Sequence, residues 1–397
     1  MNSRTYLAAL RRHPGTRATR PARLSIAVGF LAGAALLAFP ITAEAAGKPA
    51  KPTQPGTGTQ QILPINLGPA AECPRTSGLA LNDGDTAGLY VVGQGLGCSN
   101  PAFVGAVRWS SGLGMQYLGL LPGSTGSSAE GISEDGTVVG STGGNIGQAF
   151  VLEPGSVQLT RLQPLPGMVH ATAESISHNG LYIVGTSSSE AEHHGVVWTR
   201  SAGGWQIRDL GRSGRSPAIA DNGSAVFNTR LNVLGAVHTA LVIDANGTQT
   251  TLPGTDIVAL DISADGDSIV GYRLQLCPAP CGTQPVPVYW TLLANGTWAG
   301  PVDLPALDGV NSEATGIAKR NGKRLIVGYG FTKKDAIMRA VAWIEDSPGK
   351  FSLHRLAAIG GKSKAWAGAE DVNSNGQVTG VSLATGLSHY AVMWQLP

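Results

Sequence analysis

The sequence predicts an all-β fold: a seven-bladed β-propeller of four-stranded antiparallel blades, closed by an N-terminal strand that completes the last blade. Three observations predict it. First, Asp-Gly or Asn-Gly pairs end at Gly84, Gly136, Gly180, Gly223, Gly266, Gly322 and Gly376, in steps of 52, 44, 43, 43, 56 and 54 residues. A period of this size marks a unit that cannot bury its apolar face alone and must stack on copies of itself. Second, each pair sits between a short apolar segment and a β-branched run, the pattern of a hairpin turn. Third, charged residues are only 14% of the chain, Gly contributes 55 of 397 residues, and long helical periodicity is missing.

The amino terminus stands apart from the repeats. Residues 1–46 carry Arg4, Arg11, Arg12, Arg17, Arg20 and Arg23, then an apolar run over 24–39, Pro40 and Ala43-Glu44-Ala45. Sixteen apolar residues are short for a membrane span, and the small residues suit signal peptidase. We therefore read 1–46 as a signal peptide, 47–61 as a flexible Pro/Gly/Thr/Lys linker, and 62–397 as the propeller. No transmembrane segment is expected after cleavage. The 28 basic and 26 acidic residues become 22 and 25 without the signal's six Arg and one Glu, a net charge of −3. A basic stripe for nucleic acid is missing, which excludes that class.

The unit reads clearest over 129–166. Ala129 to Ser133 forms a first strand, and Glu134-Asp135-Gly136 turns the chain, with Gly where φ can be positive. Thr137 to Gly140 forms a second strand, Ala149 to Leu152 a third, and Val157 to Leu165 a fourth. Second strands recur as Tyr90-Val91-Val92-Gly93, Tyr182-Ile183-Val184-Gly185, Ser268-Ile269-Val270-Gly271, Leu325-Ile326-Val327-Gly328 and Gln377-Val378-Thr379-Gly380. Third strands end in Trp109, Trp198, Trp290, Trp343 and Trp394, with Leu152 and Ile243 in the second and fourth units. These positions are expected to anchor neighbouring units. The fourth unit is weakest, because Asn228 stands where the strand-ending Gly is expected. Blades fall near 76–122, 126–166, 170–212, 214–253, 256–307, 311–359 and 366–397. The last lacks a fourth strand, which 62–68 is predicted to supply, so that no strand edge is left open.

The grammar Ala-x-x-Ile-Ser-x-Asp-Gly, Val-Val-Gly, Ala-Phe-x-Trp and Leu-Gly-x-Leu-Pro-Gly resembles the secreted bacterial HAF-repeat family. The likeness covers most of 62–397. It implies an extracellular or cell-surface repeat protein and is nearly silent on activity.

Four Cys in an exported chain favour two disulfides. In a propeller, the fourth-to-first and second-to-third loops share one face. Cys73 and Cys98 lie in such loops of blade 1, and Cys277 and Cys281 in blade 5, so Cys73–Cys98 and Cys277–Cys281 are expected. The same face carries the longest loops, and rigid scaffolds usually bind through such loops. The candidate ligand-binding residues are Glu192, His193, His194, Lys333, Lys334, Trp366 and His170. His193 and His194 are adjacent and point to opposite sides of an extended segment, so no metal site is assigned there. Asp83/Asp85 and Asp265/Asp267 flank turn Gly residues without EF-hand spacing.

Glu130, Glu174 and Glu370 share one register, two residues before Ile132, Ile176 and Val372. They are predicted on innermost strands near a channel mouth, where converging carboxyls raise one another's pKa and can do acid/base chemistry. No Gly-x-Ser-x-Gly motif or phosphate-binding loop appears, and no cofactor is expected. The sequence thus predicts a monomeric, secreted or periplasmic, non-catalytic propeller that binds a protein or glycan through its loop-bearing face. The rival is a propeller hydrolase or lyase for polysaccharide or peptide, with the three Glu as catalytic candidates.

Overall fold

The computed structural model describes residues 61–99, 104–144, 147–212, 214–229, 238–277, 282–309, 311–333, 336–361, 365–383 and 388–397. Residues 1–60, read above as a signal peptide and most of a linker, lie outside the described residues. So do Cys281, and with it the second disulfide, and Lys334.

The described residues form seven four-stranded antiparallel sheets. Six are consecutive meanders. The seventh takes its outer strand from the amino-terminal side: Ile65–Gly68 pairs with His389–Gln395, setting Ile65 opposite Met393 and Asn66 opposite Val392. The Thr76 hydroxyl reinforces this closure, donating to the Gly68 carbonyl at 2.7 Å and accepting from the Ala391 amide at 3.1 Å. The expected closing strand is therefore found, in the expected blade.

Burial follows the ring. Apolar side chains collect between neighbouring blades rather than within one. Leu67, Leu81, Val91, Ala391 and Met393 join blade 7 to blade 1. Val139, Val151, Ile176, Ile183 and Trp198 join blades 2 and 3. Four of the repeated Trp are at most 1% exposed, while Trp109 is only partly buried. Each buried indole N–H donates to a carbonyl closing the preceding blade: Trp198 to Gln163, Trp290 to Pro253, Trp343 to Pro305 and Trp394 to Ala357, at 2.7–2.9 Å. A buried indole needs such a partner. The repeated Trp is a staple between blades.

Every innermost strand departs from regular pairing near its end. In six blades one residue is unpaired: Leu79, Glu130, Glu174, Leu260, Thr315 and Glu370. This β-bulge explains the Gly of Val-Val-Gly. The bulge presses a first-strand carbonyl towards the second strand. A Cβ on Gly93, Gly140, Gly185, Gly271 or Gly328 would lie 1.9–2.0 Å from that oxygen.

Blade 4 corrects one expectation. By strand pairing, Phe227 stands at the Gly register and Asn228 one residue beyond it. The irregularity is wider there, between Arg215 and Ala218. Gly195 of blade 3 makes room for the Phe227 ring, since a Cβ would lie 2.1 Å from it. Asn228 binds blade 5 instead, donating to the Ala259 carbonyl and accepting from its amide. A second correction concerns blade 2, whose fourth strand is Thr160–Arg161 rather than 157–165. Val157 is 89% exposed and lies outside that strand.

Candidate functional site

The seven innermost strands surround the axis. A cavity of about 610 Å³ lies where they end, at the face carrying the Asp-Gly and Asn-Gly turns. Glu130, Glu174 and Glu370 all line it, so the register argument brings the three predicted carboxylates to one wall.

Asp261 and Asp371 also line the cavity, and the sequence reading did not single them out. They follow the bulged residue directly. In a regular strand that position would face away, but the bulge re-aims it. Each bridges to the next blade. Asp371 accepts from the Leu81 amide at 3.0 Å, and Asp261 from the Ile317 amide at 2.8 Å. Each also accepts from the amide that follows it, Val372 and Ile262 respectively.

Burial, and then the carboxyls of Glu313, Asp371 and Glu130, push the Glu370 carboxyl up to about 8. Burial and then repulsion from Asp371 also raise Asp261, and burial raises Asp371 despite its amide bonds. At neutral pH the wall therefore holds protons that ordinary carboxylates would release. Lys319 is the Lys or Arg that lines this cavity among the described residues. It is paired with Asp265 at 2.7 Å and with Asp267.

Just outside, the turns are tied to one another around the ring. The residue two positions past the last buried aliphatic is Asp83, Glu134, His178, Asp221, Ala264, Lys319 or Ser374 in blades 1 to 7. The Glu134 carboxylate accepts from the amides of Asp83, Gly84 and Thr86 at 2.8–3.2 Å. His178 Nε2 lies 2.9 Å from Asp83 Oδ2 and 3.8 Å from Glu134 Oε2, and its Nδ1 lies 3.8 Å from Asp221 Oδ2. Asp221 also accepts from the Asn179 amide, and Asp83 from the Ser374 amide. The bond to Asp83 raises the His178 pKa against the opposing effect of burial. Burial works to raise Asp83, but the bonds from His178 and Ser374 hold it below the usual carboxylate value. The register rule that found the three Glu finds this outer ring too, applied four residues further on.

The loop-bearing face is the opposite end of the ring. Cys73 and Cys98 form the predicted disulfide there. His194 pairs with Asp209 at 2.8 Å and lies 3.8 Å from Glu192, while His193 beside it is exposed. His170 Nδ1 accepts from the Gly147 amide, which ties it to the neighbouring strand end. Trp366 is partly buried, with its ring centroid 6.3 Å from that of His389. Lys333 is exposed in a turn. The loop candidates therefore fall into separate small groups, whereas the three Glu share a cavity.

Fold and site define the class: a closed seven-bladed β-propeller with a carboxyl-rich axial cavity. Among solved structures, the chain is similar to a puromycin-hydrolyzing peptidase of Mycobacterium tuberculosis, at 14% identity and TM-score 0.51, over 83% of this chain and 53% of that one. It is also similar to the β-propeller domain of the trilobed protease of Pyrococcus furiosus, described as having an open velcro topology, at 12% identity and TM-score 0.48, over 80% and 93%. TolB of Acinetobacter baumannii follows at 13% identity and TM-score 0.41, over 72% and 64%. At these identities the likeness is one of fold. The chain spans about half the length of the peptidase, 53%. No protein-family model and no curated protein sequence matches it.

Proposed function

We propose that this chain is an exported, non-catalytic propeller that holds a protein or glycan, with a cationic group of the ligand seated at the axial cavity. The observation that carries this reading is the placement of the cavity carboxyls. Asp261 and Asp371 are bound to backbone amides of neighbouring blades, so they shape the wall rather than stand free as an acid/base couple, and an entering cation displaces the protons that burial leaves on it. A concave site rich in carboxyls, whose Lys319 is already paired with Asp265 and Asp267, attracts positive charge. A Lys or Arg side chain of a protein, or the ammonium of an amino sugar, carries that charge.

Export is supported by the basic and apolar amino terminus, and the Cys73–Cys98 disulfide suits an oxidising compartment. The repeat grammar supports membership of the secreted HAF-repeat family. The loop-bearing face, with Glu192, His193, His194 and Trp366, offers a second contact surface for a large ligand.

One observation favours the rival enzyme reading. Glu370, raised to about 8, shares a wall with Glu130, as a general acid beside a second carboxyl would. Labelled oligolysine and oligoglutamate peptides, with an array of neutral and amino-sugar glycans, separate the two. The binding reading expects cationic ligands to bind more tightly, more weakly in Glu370→Gln, and to be recovered intact. Cleaved products, lost in Glu370→Gln, would replace it with the hydrolase reading. Equal affinity for both peptide charges would remove the cavity from the account.

A further inference from the structure

We propose that Asp83, Glu134 and His178 form a binding site for one divalent transition-metal ion that ties together blades 1, 2 and 3 at the rim of the axial cavity. The three donor atoms lie within 4.8 Å of one another. Each comes from a different blade and from the same position of its turn. One imidazole and two carboxylates form a donor set that suits Zn²⁺ or a neighbouring first-row ion.

The geometry is near that of a coordination shell. With bonds of about 2.0–2.2 Å, tetrahedral donors stand about 3.3–3.6 Å apart. His178 Nε2 is 2.9 Å from Asp83 Oδ2 and 3.8 Å from Glu134 Oε2. Opening the first pair and drawing Glu134 in centres an ion among them. The His178 side chain is 41% exposed, which leaves a path for entry and a position open to solvent or ligand.

The surroundings resemble an outer shell. A metal-bound imidazole usually turns its other nitrogen to a carboxylate, and ligating carboxylates are themselves hydrogen-bonded. His178 Nδ1 faces Asp221 at 3.8 Å. The Glu134 carboxylate is aimed by three backbone amides, and Asp83 by the Ser374 amide. Charge points the same way. Three carboxylates surround one imidazole, and among the described residues no Lys or Arg pairs with Asp83, Glu134 or Asp221. A divalent ion supplies the missing positive charge, whichever ligand the cavity takes.

Titration of Zn²⁺ into chelator-stripped full-length protein, followed by calorimetry and thermal melting, tests the site. Wild type should bind an ion whose loss tracks His178, with Tm rising by about 3–5 °C at 100-fold excess over Kd. His178→Ala and His178→Gln should each weaken binding at least about 100-fold. Asp221→Asn should weaken it about 10–100-fold, as loss of an outer partner does. Glu370→Gln should leave it unchanged. Visible absorption of bound Co²⁺ reports the shell directly and should vanish with His178 in any variant whose metal-free melting shows it folded. No saturable binding to wild type would overturn the proposal. So would Zn²⁺ affinity and Co²⁺ spectra that persist in folded His178 variants.

Discussion

A methyl group added at Gly140 would sit 2.0 Å from the Ser128 carbonyl oxygen and 2.7 Å from the Phe150 ring. Backbone and a fully buried ring leave it nowhere to go. Gly140→Ala should therefore destabilise the protein by about 2–4 kcal/mol, more than ordinary overpacking of a flexible core. Gly143→Ala, three residues on with nothing within 4 Å, should cost well under about 1 kcal/mol. Urea unfolding of the two variants measures the difference; equal losses would remove the bulge as the reason for the repeated Gly. At this scale the sequence was informative about position and less so about cause. Glu130, Glu174 and Glu370 were legible because they share a register. Asp261 and Asp371 were not, because a bulge turns two successive residues to one side and breaks the alternation on which strand reading depends. Phe227 was hidden for another reason: Ala225, which pairs with Ile219, follows Gly223 by two residues, whereas Ile183, which pairs with Ile176, follows Gly180 by three, so counting from the turn Gly points one residue too far.

The blade is the next unit up, and it was the most legible feature of the chain. Turn pairs, β-branched second strands and third-strand Trp each recur at one place in the unit, so seven weak signals support one another. Fourth strands were the exception. They are outermost, and the shortest, Thr160–Arg161 and Gln249–Thr251, are exposed and carry little apolar pattern to read. The closing strand shows what an outer strand contributes. Ile65–Gly68 covers the edge of His389–Gln395, and Leu67 is buried at 5% exposure between blades 7 and 1. Deleting residues 61–68 should leave that edge open and remove Leu67 from its cluster. We expect a lower melting temperature and soluble aggregates on size-exclusion chromatography, because an unpaired edge recruits other chains. A truncated protein that melts and elutes as the full chain does would show that the seventh blade stands without its fourth strand.

On the scale of the whole molecule, the ring gathers on its axis acids that the sequence scatters over 240 residues, from Glu130 to Glu370. Their protonation links stability to pH. Glu370 is raised to about 8 in the folded protein, and Asp261 and Asp371 are raised with it. Between the ordinary carboxyl range and about 8, the folded state therefore holds more protons than the unfolded one, so stability must fall as pH rises through that window. Melting temperature should decline from pH 5 to pH 8, and Glu370→Gln should flatten part of the decline. A melting temperature that rises over this interval in wild type, or falls equally in the variant, would contradict the assignment. The site as a whole was only half legible. Sequence reasoning placed the acids on inner strands, yet favoured the opposite face for binding, because long loops are visible in a sequence and a cavity made by seven strand ends is not.

All of these placements depend on the ring being shut by its two ends. Ile65 and Met393 face one another directly across the closing strand pair. Cysteines introduced at both positions, in protein whose native disulfide is intact, test that contact in solution. The account predicts that Ile65→Cys/Met393→Cys oxidises to an additional intramolecular disulfide in the folded protein, with the thiols protected from alkylation until a reductant is added. Two thiols that stay free and alkylate at the rate of exposed cysteines would mean that the ends do not meet, and the shared axial cavity would go with them.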